Sequence, residues 1–81
     1  MLVLKSTVDE EQKKVRVYTE EMSMTWTFKS VLQAYALDAI LKEIGHELAL
    51  SDIAILCTHI KKQKLNTLRD ASILVYEFIK G

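Results

Sequence analysis

The chain has 81 residues, 49% of them hydrophobic, and its 11 basic and 11 acidic side chains cancel. That length allows one domain, which buries only about two-thirds of its unfolded surface, so part of this apolar content stays exposed in a monomer. Zero net charge excludes a generic nucleic-acid coat and an anionic-membrane binder, leaving only local patches for either role.

Residues 1–28 have the texture of strands. Val15, Val17, Met22, Met24, Trp26 and Phe28 recur with period two, and β-branched residues are common. Strands over 2–8, 13–19 and 22–28, turning through 9–12 and 20–21, pair Leu4 with Val17 and Val17 with Met24. The same register pairs Ser6 with Val15, Val15 with Trp26, Val8 with Lys13 and Lys13 with Phe28. Directly opposed residues share a face. Leu2, Leu4, Val8 and the apolar positions of the next two strands therefore fall on one side. Val3, Lys5, Thr7, Lys14, Arg16 and Tyr18 fall on the other, with Ser23, Thr25 and Thr27. A one-residue slip destroys this separation. Neither turn holds the Gly or Asn that tight hairpins prefer.

Residues 29–81 have helical texture. The run VLQAYALDAILKEI, 31–44, opens after a Ser30–Gln33 capping pattern and stops at Gly45, which suits a left-handed residue past a helix end. Between Val31 and Leu41 only Gln33 and Asp38 are polar. Five positions apart, they point about 140° away from each other, so the helix has no clean wet face. Such a helix has to be covered on nearly every side. Ser51 and Asp52 open a second helix with a stripe of Ile53, Leu56, Cys57 and Ile60, and Lys61, Lys62 and Lys64 complement its C-terminal dipole. Thr67 and Asp70 cap a third, striped by Leu68, Ala71, Leu74, Val75 and Phe78, so the break between the two is placed near Asn66 and Thr67. The expectation is one α+β domain over 1–81: a three-stranded antiparallel β-meander followed by two or three α-helices packed on one sheet face.

No catalytic constellation emerges. Gly45 is the only internal glycine, so no phosphate-cradling loop exists, and no Ser, His and acid grouping is implied by spacing. Cys57 and His59 point about 200° apart on a helix and cannot readily share a metal ion, while His46 and Glu47 do not extend to a zinc motif. Neither an enzyme, a cofactor, a metal nor a small-molecule substrate is expected. The pairing of LSDIA, 50–54, with KKQKLNTLR, 61–69, has the outline of a helix-turn-helix. It lacks a glycine near Thr58 and puts Lys64 where an apolar residue is required, so it reads as a solvated helix end.

Cys57 is the sole cysteine, which excludes an internal disulfide and fits a reducing cytoplasm. The opening MLVLKSTVDEE does not have signal-peptide form, and the longest apolar run falls short of a membrane span. The apolar surplus is the strongest functional signal. Leu32, Tyr35 and Ala39 on the first helix, Ile55 off the second stripe, and Ile73, Tyr76 and Ile79 flanking the third are the expected partner-binding residues. The functional expectation is a small, non-enzymatic, intracellular regulator or inhibitor of microbial, phage or mobile-element origin, working as a homodimer or bound to a larger protein. The alternative is a nucleic-acid-binding regulator. It uses Lys5, Lys14, Arg16 and Tyr18 on the polar sheet face, or Lys61, Lys62, Lys64 and Arg69 in the helical part.

Overall fold

A computed structural model describes residues 3–81. Three antiparallel strands, β1 (Lys5–Asp9), β2 (Lys14–Tyr18) and β3 (Ser23–Thr27), form a sheet in the order β1-β2-β3. Helices α1 (Val31–Ile44), α2 (Leu50–Lys61) and α3 (Leu68–Lys80) follow, with a 3₁₀ turn at Gly45–Glu47 between the first two. The meander followed by three helices is the α+β arrangement expected from the sequence texture.

The second hairpin keeps the expected register, with Val15 opposite Trp26 and Val17 opposite Met24. The first hairpin is displaced by two residues. Ser6, not Leu4, opposes Val17, and Val8 opposes Val15 instead of Lys13. The cause is the turn. Residues 10–13 form a four-residue loop in which Asp9 Oδ1 accepts from the Gln12 N–H at 3.1 Å and Lys13 takes a left-handed φ of 57°. A displacement of two preserves the alternation, so the two faces survive it.

At the other end of β1 the alternation breaks. The Leu4 N–H donates to the Tyr18 carbonyl at 2.8 Å although Lys5 is the pairing partner of Tyr18, so two residues stand against one in a bulge. The extra residue reverses the sides. Val3, expected on the polar face, is buried, and Leu4, expected on the apolar face, is exposed. Leu2 lies outside the described residues. The second turn dispenses with glycine because Thr19 supplies the hydrogen bonds. Its Oγ1 accepts from the Met22 N–H at 3.1 Å and donates to the Met22 carbonyl at 3.0 Å.

The core gathers Val15, Val17, Leu37, Ile40, Ile53 and Ile60, all fully buried. Each contributes about 1.5–3 kcal/mol by leaving water. The α2 stripe of Ile53, Leu56, Cys57 and Ile60 is buried as a whole, as its spacing requires. Helix α1 is the hub, touching β1, β2, α2, the 3₁₀ turn and α3. Gly45 is right-handed, with a φ of −58°, contrary to the left-handed role expected for it. Its need is space: a Cβ there would meet Val3 Cβ at 3.3 Å and Leu41 Cβ at 3.4 Å. Ala49, not Ser51, precedes the first turn of α2, and Asp52 accepts from the Ala49 N–H at 3.1 Å. Ala49 has no side-chain acceptor, so only this half of the capping box forms. Helix α2 runs unbroken through Thr58, which removes the helix-turn-helix outline, and the chain breaks at 62–67 as expected.

Candidate functional site

Gln33 and Asp38, the two polar residues within the apolar run of α1, are its most unusual feature, because both are buried. Gln33 joins two helix ends. Its Oε1 accepts from the Lys29 N–H at 3.0 Å, and its Nε2 donates to the Gln63 carbonyl at 2.9 Å and the Ile60 carbonyl at 3.2 Å. One amide thus satisfies a donor before α1 and the Gln63 carbonyl just past α2, and adds a bond to the Ile60 carbonyl, which also accepts from the Gln63 N–H at 3.0 Å. Asp38 joins helix to sheet: Ser6 Oγ donates to its Oδ1 at 2.6 Å and Lys42 Nζ to its Oδ2 at 2.7 Å. No buried side-chain polar atom among the described residues lacks a partner. These groups have complete structural employment and offer no free functionality.

Cys57 is likewise a core residue. Burial pushes its thiol up to about 12, an effect only partly offset by the positive charge of Lys61. A thiol so raised is protonated at neutral pH and a poor nucleophile. His59, two positions on, is exposed.

The surface carries the functional candidates. Among the described residues nine large apolar or aromatic side chains are exposed, and five of them, Leu68, Ile73, Tyr76, Phe78 and Ile79, sit on α3. Of the stripe expected to bury α3, only Ala71 is fully buried and Leu74 and Val75 partly so, whereas Leu68 and Phe78 are exposed. The reason is connectivity: among the described residues, α3 has substantial contacts with α1 alone.

Between these two helices runs an apolar groove of about 350 Å³. Ala36 and Ala39 of α1 and Ala71 and Ser72 of α3 line it as small residues, while Leu68, Val75, Tyr76 and Ile79 supply bulk. Glu43 and Tyr35 add polar atoms on the α1 side. Tyr35 is anchored, its hydroxyl donating to Glu10 Oε1 in the β1–β2 turn. That hydrogen bond, with burial and the carboxylate charge adding to it, raises the phenol above its ordinary range. Tyr76 accepts a hydrogen bond from Lys80 Nζ at 3.0 Å.

Of the seven expected partner-binding residues, the fold brings Tyr35, Ala39, Tyr76 and Ile79 together in the groove. Leu32 is half-buried on the same flank of α1 but outside the lining. Ile55 is 70% exposed on α2, and Ile73 is exposed on α3, both away from the groove. Leu68, Ser72 and Val75 belong to it and were not anticipated; the spacing of Leu68 and Val75 read as core, and only the absence of a second neighbour for α3 opens them.

The basic residues divide into two groups. Lys5, Lys14, Arg16 and Tyr18 lie on the open face of the sheet, where Lys14, Arg16 and Tyr18 share a shallow cleft with Thr7, Thr25 and Asp9. Lys5 Nζ stands 5.9 Å from the centre of the Tyr18 ring. Lys61, Lys62 and Lys64 instead surround the start of α1 together with Lys29, and Arg69 is exposed in the first turn of α3. Lys42 is the only lysine or arginine in an ion pair among the described residues. No helix among them is long and apolar enough to cross a membrane. No protein-family model, curated protein or solved structure matches this chain, so its functional reading rests on the geometry of these surfaces.

Proposed function

We propose that this chain is a small, non-enzymatic, intracellular interaction protein that regulates a larger protein by accepting one of its helices in the α1–α3 groove. The observation that carries the reading is the concentration of exposed apolar side chains on α3, beside a preformed groove with small residues on both helices. Small residues let a third backbone approach closely, and apolar anchors at helical spacing fill the remaining volume. Tyr35, tethered to Glu10, and Tyr76 both line the groove and are the kind of side chains that dominate binding energy at such sites. The polar groups of the core are all engaged in holding the fold, which supports binding over catalysis. Cys57, the sole cysteine and buried, has no second cysteine to pair with, which supports a reducing compartment.

A photo-crosslinking residue at Ala39, introduced in the native host, tests the proposal. The expected result is a discrete adduct with another protein that disappears in Tyr76→Glu, since loss of an aromatic anchor that lines the groove costs about 2 kcal/mol or more, roughly thirtyfold in affinity. No adduct, or an adduct that Tyr76→Glu leaves intact, overturns it.

A second reading has one specific support: among the described residues Lys5, Lys14 and Arg16 form no ion pair, although Asp9 stands opposite Lys14, and they share the open sheet face with Tyr18. Such a face suits a nucleic-acid backbone, with cations on phosphate. Lys14→Glu with Arg16→Glu should abolish a salt-sensitive gel shift, and unchanged binding removes this reading.

A further inference from the structure

The two edges of the sheet are built differently. The β1 edge carries a bulge at Leu4 and Lys5 and charged residues at both ends, Lys5 and Asp9. These are the devices that keep a strand edge from pairing with another chain. The β3 edge, SMTWT, has no charge, no proline and no bulge.

The ladder shows which backbone groups that edge offers. The Thr19 N–H donates to Met22 and the Phe28 N–H to Lys13, each at 2.8 Å, which brackets β3 at both ends. Antiparallel bonding alternates along a strand. Met22, Met24, Trp26 and Phe28 therefore bond inward to β2, and the N–H and C=O groups of Ser23, Thr25 and Thr27 point outward. Beside them Met22 is 47% and Met24 37% exposed, and Trp26 is only half-buried.

We propose that β3 pairs antiparallel with β3 of a second copy about a two-fold axis through Thr25, joining two sheets into one of six strands. This register alone engages all three outward residues of each copy. Thr25 pairs with Thr25 of the second copy and Ser23 with its Thr27. Met24 then faces Trp26 of the second copy in a non-hydrogen-bonded pair, the kind that brings side chains closest. Sulfur against an aromatic ring is a favourable contact and covers the exposed methionine. At each end the acidic turn holding Glu20 and Glu21 falls beside Lys29 of the second copy, so the charges are complementary where uncharged strand gives way to charged flanks. The surface is self-complementary, as a two-fold interface must be. It leaves the α1–α3 groove of each copy free and sets two basic sheet faces side by side.

Sedimentation velocity of the full chain up to about 100 μM tests this against the 9.3 kDa monomer. The wild type should sediment with twice the monomer mass. Thr25→Pro should be folded by circular dichroism and monomeric, because the lost N–H faces the free edge, where proline is tolerated. Thr25→Lys and Thr25→Glu, exposed substitutions that keep the fold, should each weaken the dimer by a few-fold and regain it when mixed. These two variants decide the matter if the proline variant does not fold. Tyr76→Glu should leave the dimer unchanged. A monomeric wild type, a dimer that ignores all three Thr25 variants, or a dimer broken by Tyr76→Glu overturns the proposal; the last result would place the second copy in the groove.

Discussion

Helices α1 and α3 are of nearly equal length, 14 and 13 residues, and stand in opposite relation to water. Helix α1 has almost no wet face, yet the two polar side chains that interrupt its apolar run are buried and hydrogen-bonded. Helix α3 has a well-separated apolar side, yet only Ala71 is fully buried there. The difference is one of neighbours. Ala36 and Asp38, two positions apart and therefore on opposite sides of α1, face α3 and the sheet respectively. A helix placed between two layers has to be apolar all round and can keep a polar group only where a partner is built in. A helix at the periphery keeps its greasy side exposed until something else covers it.

Four measurements break or sharpen this contrast. The largest effect is expected in the core: Leu37→Ala and Ile40→Ala, both fully buried on α1, should each cost about 2–5 kcal/mol in urea unfolding. Ile73→Ala on α3 should cost no more than about 0.5 kcal/mol, as for an ordinary surface position. Equal costs would mean that α3 is as supported as α1, and the contrast would fail. Next, Gln33→Leu keeps volume but strands the Gln63 carbonyl after α2 and the Lys29 N–H before α1, at about 1–3 kcal/mol. Hydrogen exchange should show faster opening in the last turn of α2, and unchanged protection there would show that the amide is not what joins the two helices.

The third effect is reached with base. Cys57 is raised on folding from the ordinary 9.0 to about 12, so its contribution is fully present below the unfolded value and is lost as pH climbs through that interval. Stability should decline above about pH 9, and Cys57→Ala should flatten the decline despite its own cost in packing. A slope identical in both proteins would exclude the thiol as its source. The smallest effect lies at the start of α3. The Asn66 N–H, with the Thr67 backbone and hydroxyl and the charge of Arg69, holds the Asp70 carboxyl below its ordinary range against an opposing desolvation. A depressed carboxyl contributes above its unfolded pKa and loses that contribution as pH falls through the folded one. Acidification should therefore fray the first turn of α3 before α1 loosens, seen as loss of the Asp70 amide's exchange protection, and Asp70→Asn should remove the pH dependence.

Much of the fold was legible in the residues themselves. Period-two alternation located the strands, and Thr67 with Asp70 marked the start of α3, where both halves of the capping box form. The α2 stripe named its buried side chains. The first-hairpin register was not legible, because Asp9 and Lys13 form a four-residue turn that no Gly or Asn announces. The reversal of Val3 and Leu4 was hidden for a similar reason, since a bulge is a property of the pairing and leaves no mark in one strand's composition. Four of the ten groove residues were visible as surplus: Tyr35 and Ala39 on α1, with Tyr76 and Ile79, which lay off any stripe, on α3. Leu68 lay on the stripe, so composition assigned it to the core.

Local periodicity and capping, which act within a few residues, determined from the sequence alone that this chain forms a meander followed by two or three helices, and the structure resolves these as three. Only tertiary structure decided which apolar side chains became core, because burial depends on what a helix is packed against. It placed Gln33 and Asp38 inside by bringing Gln63 and Ser6 to them across 30 and 32 residues. It left α3 packed on α1 and β3 paired with β2 along one edge only, and those two open surfaces are where the proposals lie.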